Sequence, residues 1–410
     1  MKLNSLKNQF DLKELELNAL LEITQAINNN LPEVSLYKIY GFTLRANLQI
    51  KKLALYVKDE DWVCKVNYGT SMDFISITLD DSFLDFRDIQ FITDADTSLG
   101  FKEFDMVVPV MHKDSVLAFV FVGGLVDPEQ DEQTIPDTSF IQTISNIILV
   151  AIENKRLARQ QLEQEALRKE LEIARGVQQL LFPKNLPQDE DLKATALYLP
   201  HQDVGGDYYD YIEIDDNQFL LCIADVSGKG VPAAILMSNF QAALRTMIRH
   251  TTDLKEIIEE LNHQTVRTAR GENFITFFVA IIDRLKKEIY YVNAGHNPPL
   301  LICDTQPLQL LELGTTILGA FKPLPFLRVG KVHWNGYFTF FSYTDGLTET
   351  FSETDEPFEL DRVKEILYSH HQESLEKING VLLKRLNEFR GKNTYTDDIT
   401  ILSCKVGVAP

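Results

Sequence analysis

Four sites along the chain put an aspartate where an apolar run meets a turn. Asp207 opens "DYYDYIEI" directly after the pair Gly205-Gly206. Asp225 closes "FLLCIAD" just before "VSGKG". Asp345 ends "FTFFSYTD" and is followed by Gly346. Asp397 and Asp398 stand together before "ITILSCKV". A carboxylate at the mouth of a buried strand is costly unless something positive meets it. One such motif alone is an ordinary turn. Four within one stretch suggest strand ends that converge. Crowded carboxylates repel and raise one another's pKa, whereas a divalent cation removes the repulsion and gains oxygen ligands. Ligation by oxygen without His or Cys selects Mg²⁺ or Mn²⁺ over zinc or copper. The Val226 carbonyl, next to Asp225, is a further candidate ligand. Gly205, Gly206, Gly228, Gly230 and Gly346 allow sharp turns and close approach.

Two neighbours remain open. Lys229 suits a phosphate contact or plain solvation. His296, in "NAGHNPPLL", suits proton donation, but Asn293, Gly295 and the prolines favour a turn with a structural or rim-facing histidine. "VSGKG" is not a phosphate-binding P-loop, because Ile223 stands where the first glycine is required.

The elements that must position these residues fall into three stretches. Residues 1–150 read as mixed α/β. A helical pattern, "LKELELNALLEITQAINN", precedes the strands "KKLALYVK" and "FDMVVPVMH". The turn "HKDS" leads to "VLAFVFVGG". A closing helix follows, with Asp137, Thr138 and Ser139 as cap candidates. Residues 151–187 read as a helical linker. Leu157, Leu167, Leu171, Ala174 and Leu181 fall near heptad a and d positions, and Gln160, Gln164 and Gln178 interrupt the seam. The pattern fits a parallel coiled-coil dimer or a single solvated helix with one partly buried face. Pro183 and Pro187 end it. Residues 188–410 alternate short strands in neighbouring pairs with helices, including "VPAAILMSNFQAALRTMIRH" and another over 254–269. An α-β-β-α sandwich fits, and the whole chain reads as α+β.

The chain has 410 residues, a hydrophobic share of 45% and a formal net charge of −20. The charge argues against nucleic-acid binding and against attachment to anionic lipid. The start lacks the apolar core of a signal peptide, and no run approaches a membrane span. The four cysteines are far apart and three sit in apolar runs, so buried reduced thiols and a cytoplasmic location are expected.

"VGGDYYD", "ADVSGKGVPAAILM", "NAGHNPPLL", "YTDGLTE" and "TDDITIL", in this order, resemble the bacterial branch of the protein phosphatase 2C superfamily. The likeness is to the stage II sporulation protein E family and the sigma-factor regulators of the RsbU type. "EIARGVQQLLFP" resembles the helix preceding their catalytic domains. The order of elements in residues 1–150 resembles a GAF-type sensory domain. The resemblance implies a phosphoserine/phosphothreonine protein phosphatase that works by a metal-activated water with two Mn²⁺ or Mg²⁺ ions. Asp207, Asp225, Asp345 and Asp397 would be the metal ligands with the Val226 carbonyl, and Asp398 would support them. The implied substrate is a phosphorylated STAS-type anti-sigma-factor antagonist. A homodimer through the linker and a ligand or regulator at the GAF-like domain would complete the partners. Val226 and Ser227 follow Asp225 where eukaryotic members carry a histidine, and no counterpart of their phosphate-holding arginine is evident. Two other readings differ in class: a non-catalytic scaffold with a phosphatase fold, which loss of the acids would favour, and a two-metal nuclease, which the charge disfavours.

Overall fold

The structure is a computed structural model that describes residues 2–59, 61–79, 83–92, 101–112, 115–125, 138–269, 271–303 and 307–407. Asp137 and the turn residues Lys113 and Asp114 lie outside them. The chain divides into two compact units, Met1–Glu165 and Ala166–Pro410.

The first unit runs α1 (Lys2–Asn28), α2 (Glu33–Ala46), β1 (Lys52–Lys58), β2 (Trp62–Tyr68), β3 (Gln90–Phe91), β4 (Met106–His112), β5 (Ser115–Gly123) and into α3 (Thr138–Gln179). Its strands form one antiparallel sheet in the order β2-β1-β5-β4-β3. Side chains alternate across a strand, and β1 shows the consequence. Leu53 and Leu55 join the core made with Ile23, Tyr40, Leu44, Ile144 and Ile148 of the helices. Ala54 and Tyr56 face the opposite side, where Phe74, Phe83, Phe101, Phe104 and Phe121 pack. Both faces of β1 are covered, so its central residues read as a continuous apolar run.

The second unit begins in the last turns of α3. It continues with β6 (Leu192–Leu199), β7 (Tyr208–Glu213), β8 (Gln218–Val226), α4 (Val231–Met247), α5 (Leu254–Ala269), β9 (Ile275–Asp283) and β10 (Glu288–Ala294). Then come β11 (Leu300–Cys303), β12 (Gln309–Leu310), β13 (Gly314–Thr315), β14 (Gly330–His333), β15 (Phe338–Tyr343), α6 (Asp345–Thr348), α7 (Glu359–His370), α8 (Leu375–Arg390) and β16 (Ile399–Val406). One sheet has the order β13-β10-β9-β8-β7 with β14 beside β10, and the other β12-β11-β15-β16-β6. Pairing is antiparallel apart from two residues of β10 and β13.

Three apolar layers hold this unit. Phe219, Leu221, Phe278, Phe340 and Leu402 fill the space between the sheets. Leu220, Cys222 and Phe277 meet Met237, Phe240, Ile257 and Leu261 of α4 and α5. Phe341, Tyr343 and Ile401 meet Val363, Leu367, Ile378 and Leu382 of α7 and α8. The result is an α-β-β-α sandwich, and the chain as a whole is α+β. Among the described residues no helix is long and apolar enough to cross a membrane. Phe340 lies in the middle layer, so Phe340→Ala should cost about 3–5 kcal/mol in urea denaturation followed by circular dichroism. A loss under ~1 kcal/mol would contradict this packing.

Candidate active site

The acids gather at one end of the sandwich because their strands do. Asp207 immediately precedes β7, Asp225 is the penultimate residue of β8, Asp345 opens α6 after β15, and Asp397 and Asp398 precede β16. Asp207 is fully buried. Its Oδ2 accepts the Thr344 hydroxyl at 2.8 Å and the Thr400 hydroxyl at 2.5 Å. Asp225 lies close enough to Asp207 for its charge to oppose ionisation there. Asp398 accepts the backbone N–H of His201 at 2.7 Å and of Gly206 at 3.0 Å. Asp397 is partly exposed and accepts its neighbour's N–H, from Asp398, at 2.9 Å.

Burial raises the pKa of Asp207 well above the usual carboxylate range, and Asp225 and Asp398 add to it. Asp225 is pushed up to about 7 by burial first, then by Asp345, Asp397 and Asp398. Asp345 and Asp398 are raised too, again with burial as the leading cause. All five aspartates therefore share one electrostatic neighbourhood. The glycines admit them: a Cβ on Gly206 would lie 2.7 Å from the Val226 carbonyl oxygen, and one on Gly346 would lie 2.1 Å from the Asp398 carbonyl oxygen.

Lys229 is neither free in solvent nor presented to an incoming anion. Its ammonium donates to the Thr396 carbonyl at 2.7 Å and pairs with Asp397 Oδ2 at 2.9 Å. It also lowers the pKa of Asp345, weakly against the opposing causes. His296 is buried in the turn after β10. Its Nδ1 meets the Thr276 hydroxyl at 2.8 Å, and its backbone N–H donates to Asn293 at 2.8 Å. Burial lowers its pKa to about 4, so the ring is neutral at pH 7 and ties a turn to β9.

Three supports were not foreseen from the sequence. Thr344 and Thr400 hold Asp207, although both stand inside quoted motifs. Gln178, read as an interruption of an apolar seam, is buried. Its amide donates to the Gly205 carbonyl at 2.7 Å and accepts the Gly205 N–H at 3.2 Å, linking α3 to the loop before Asp207. Asp210, fully buried, takes both Nε and Nη2 of Arg245 at 2.7 and 2.9 Å and the Tyr208 hydroxyl at 2.5 Å. That bidentate pair ties α4 to β7.

The donor set is oxygen only, and one ammonium, Lys229, is set among five carboxylates. This surplus of negative charge fits a divalent cation. Among the described residues no three His, Cys, Asp or Glu side chains already stand as a metal-holding group. The metal-free protein has a pH signature. Asp225 ionises near pH 4 when unfolded and near 7 when folded. Between those values the folded state keeps a proton that the unfolded chain releases. Its contribution to stability is therefore present below pH 4 and lost as pH rises through 7. In EDTA the melting temperature should fall over this window, and Asp225→Asn should flatten the fall. Identical profiles for both proteins would contradict the crowding.

Residues 215–407 match the family model of stage II sporulation protein E. The phosphoserine phosphatase RsbU of Bacillus subtilis is 29% identical over 237 residues, covering 57% of this chain and 70% of that protein. The phosphoserine phosphatase RsbP of the same organism is 26% identical over 186 residues, covering 44% of this chain and 46% of that protein. Among solved structures, the SiaA-PP2C domain of Pseudomonas aeruginosa superposes with a TM-score of 0.53 at 24% identity, covering 59% of this chain and 97% of that domain. The fold and the ordered acidic motifs agree with these matches: residues 215–407 are similar to stage II sporulation protein E, and the second unit shares the fold of the SiaA-PP2C domain.

Proposed function

We propose that the chain is a metal-dependent phosphoserine/phosphothreonine protein phosphatase. The observation that carries this reading is the meeting of acids from four strand ends, in a domain whose named relatives are phosphoserine phosphatases. Asp207, Asp225, Asp345 and Asp397, with the Val226 carbonyl, would hold two Mn²⁺ or Mg²⁺ ions. When bound, such ions supply Lewis acidity that promotes ionisation of water and neutralises charge on the phosphoryl oxygens.

The chain's own residues do the positioning. The Thr344 and Thr400 hydroxyls fix the Asp207 carboxyl, and the His201 and Gly206 N–H groups fix Asp398. Lys229 holds Asp397 Oδ2 at 2.9 Å and offsets part of the acids' negative charge. A neutral buried His296 is a poor proton donor to the leaving serine oxygen, so water is the better candidate.

The substrate we favour is a phosphorylated STAS-type protein of a sigma-factor pathway. Residues 1–150 would act as a GAF-like sensory domain, residues 151–187 as the linker and residues 188–410 as the catalytic domain. Exposed Leu157, Leu162, Leu167, Ile173 and Val177 along α3 support a homodimer through that helix. Four free, buried cysteines support a cytoplasmic setting. The Gln178–Gly205 pair supports control of the acid centre by α3, because it is bonded to the loop that carries Asp207.

Hydrolysis of p-nitrophenyl phosphate should require Mn²⁺ or Mg²⁺ and fall to background in Asp225→Asn. Equal rates in the two proteins would overturn the reading. Gln178→Ala should lower the Mn²⁺-dependent rate several-fold with the circular dichroism spectrum unchanged, whereas an unaltered rate would remove α3 from the control of the site.

A further inference from the structure

Tyr198 lies in β6 directly opposite Thr400 of β16, the residue whose hydroxyl holds Asp207. Its ring packs on Phe182, with centroids 5.1 Å apart. Its hydroxyl oxygen is buried and has no hydrogen-bond partner among the described residues. A Cβ on Gly205 would lie 2.2 Å from that oxygen and 2.1 Å from Asp398 Oδ2. Glycine at 205 therefore leaves room for a phenol and a carboxylate to approach the same spot.

Packing on Phe182 requires only the ring, and phenylalanine would supply it without burying an unmet hydroxyl. The hydroxyl thus has a use that its immediate packing does not explain. Asp398 Oδ2 accepts the Gly206 N–H at 3.0 Å and, as a carboxylate oxygen, has a further lone pair. Its other oxygen is taken by His201. We propose that Tyr198 is a positioning residue of the acid centre: in the cation-loaded protein its hydroxyl donates to Asp398 Oδ2 and fixes that carboxylate beside Asp207 and Asp397. The proposal rests on the phosphatase reading to the extent that a divalent cation loads the centre. It assigns Tyr198 no proton transfer and no contact with substrate.

The test uses the full chain and Mn²⁺ titration by calorimetry at pH 7.5, beside thermal melts in EDTA. Tyr198→Phe should weaken Mn²⁺ binding about tenfold, the worth of one hydrogen bond to a charged group. Its metal-free melting temperature should stay level or rise. Thr339→Val, which removes another buried hydroxyl without a partner among the described residues, should leave Mn²⁺ affinity unchanged. Unchanged affinity in Tyr198→Phe would overturn the proposal and leave the phosphatase reading standing. So would an affinity loss matched by an equal drop in metal-free stability, since that is the mark of packing alone. A wild-type chain that takes up no Mn²⁺ would overturn both.

Discussion

The constraint on which the second unit depends is uncompensated negative charge at one end of a rigid sandwich. Five aspartates share that end, and the ammonium paired there, Lys229, sits on the partly exposed Asp397 rather than on the buried Asp207 or the half-buried Asp225. Metal-free, burial and mutual repulsion favour the protonated acids: Asp225 is pushed up to about 7, and Asp207 is raised well above its ordinary range. On the proposed phosphatase reading, a cation of higher charge would displace those protons.

The sandwich can hold such a cluster because its order does not come from the acids. Apolar layers between the sheets and beneath the helices fix the strand ends, and strand ends position side chains closely. Local ties then refine the site. Thr344 and Thr400 act on Asp207, the backbone of His201 and Gly206 acts on Asp398, and Arg245 anchors α4 to β7 through Asp210. Gln178 brings α3 into the same network. Gly205 is two residues before Asp207, so this tie reaches the loop that carries the acid.

Much of this was legible from residue pattern. The strands that Asp225 and Asp345 close and the strand that follows Asp397 and Asp398 are apolar runs, so their ends are sharp in the sequence and each acid stands out at its boundary. The sandwich follows from neighbouring strand pairs with helices between them. Side-chain partnerships across the fold were not legible. Asp210 and Arg245 belong to different elements, and nothing in their spacing announces a bidentate pair. Gln178 looked like a flaw in an apolar seam because its partner is a backbone amide remote in sequence. Lys229 had two open readings, and its pairing with Asp397 depends on a loop crossing that no local pattern encodes. The short strands β2 and β3 in the first unit were also passed over, one polar at alternate positions and the other two residues long.

In the proposed phosphatase a divalent cation would take the place of protons held by crowded carboxylates. The most direct test of this exchange is Mn²⁺ calorimetry at pH 6.5 in buffers of different ionisation enthalpy, which counts protons released on binding. Binding should be accompanied by net proton release, reduced in Asp225→Asn. Binding with no proton release, or no binding by the folded chain, would contradict it.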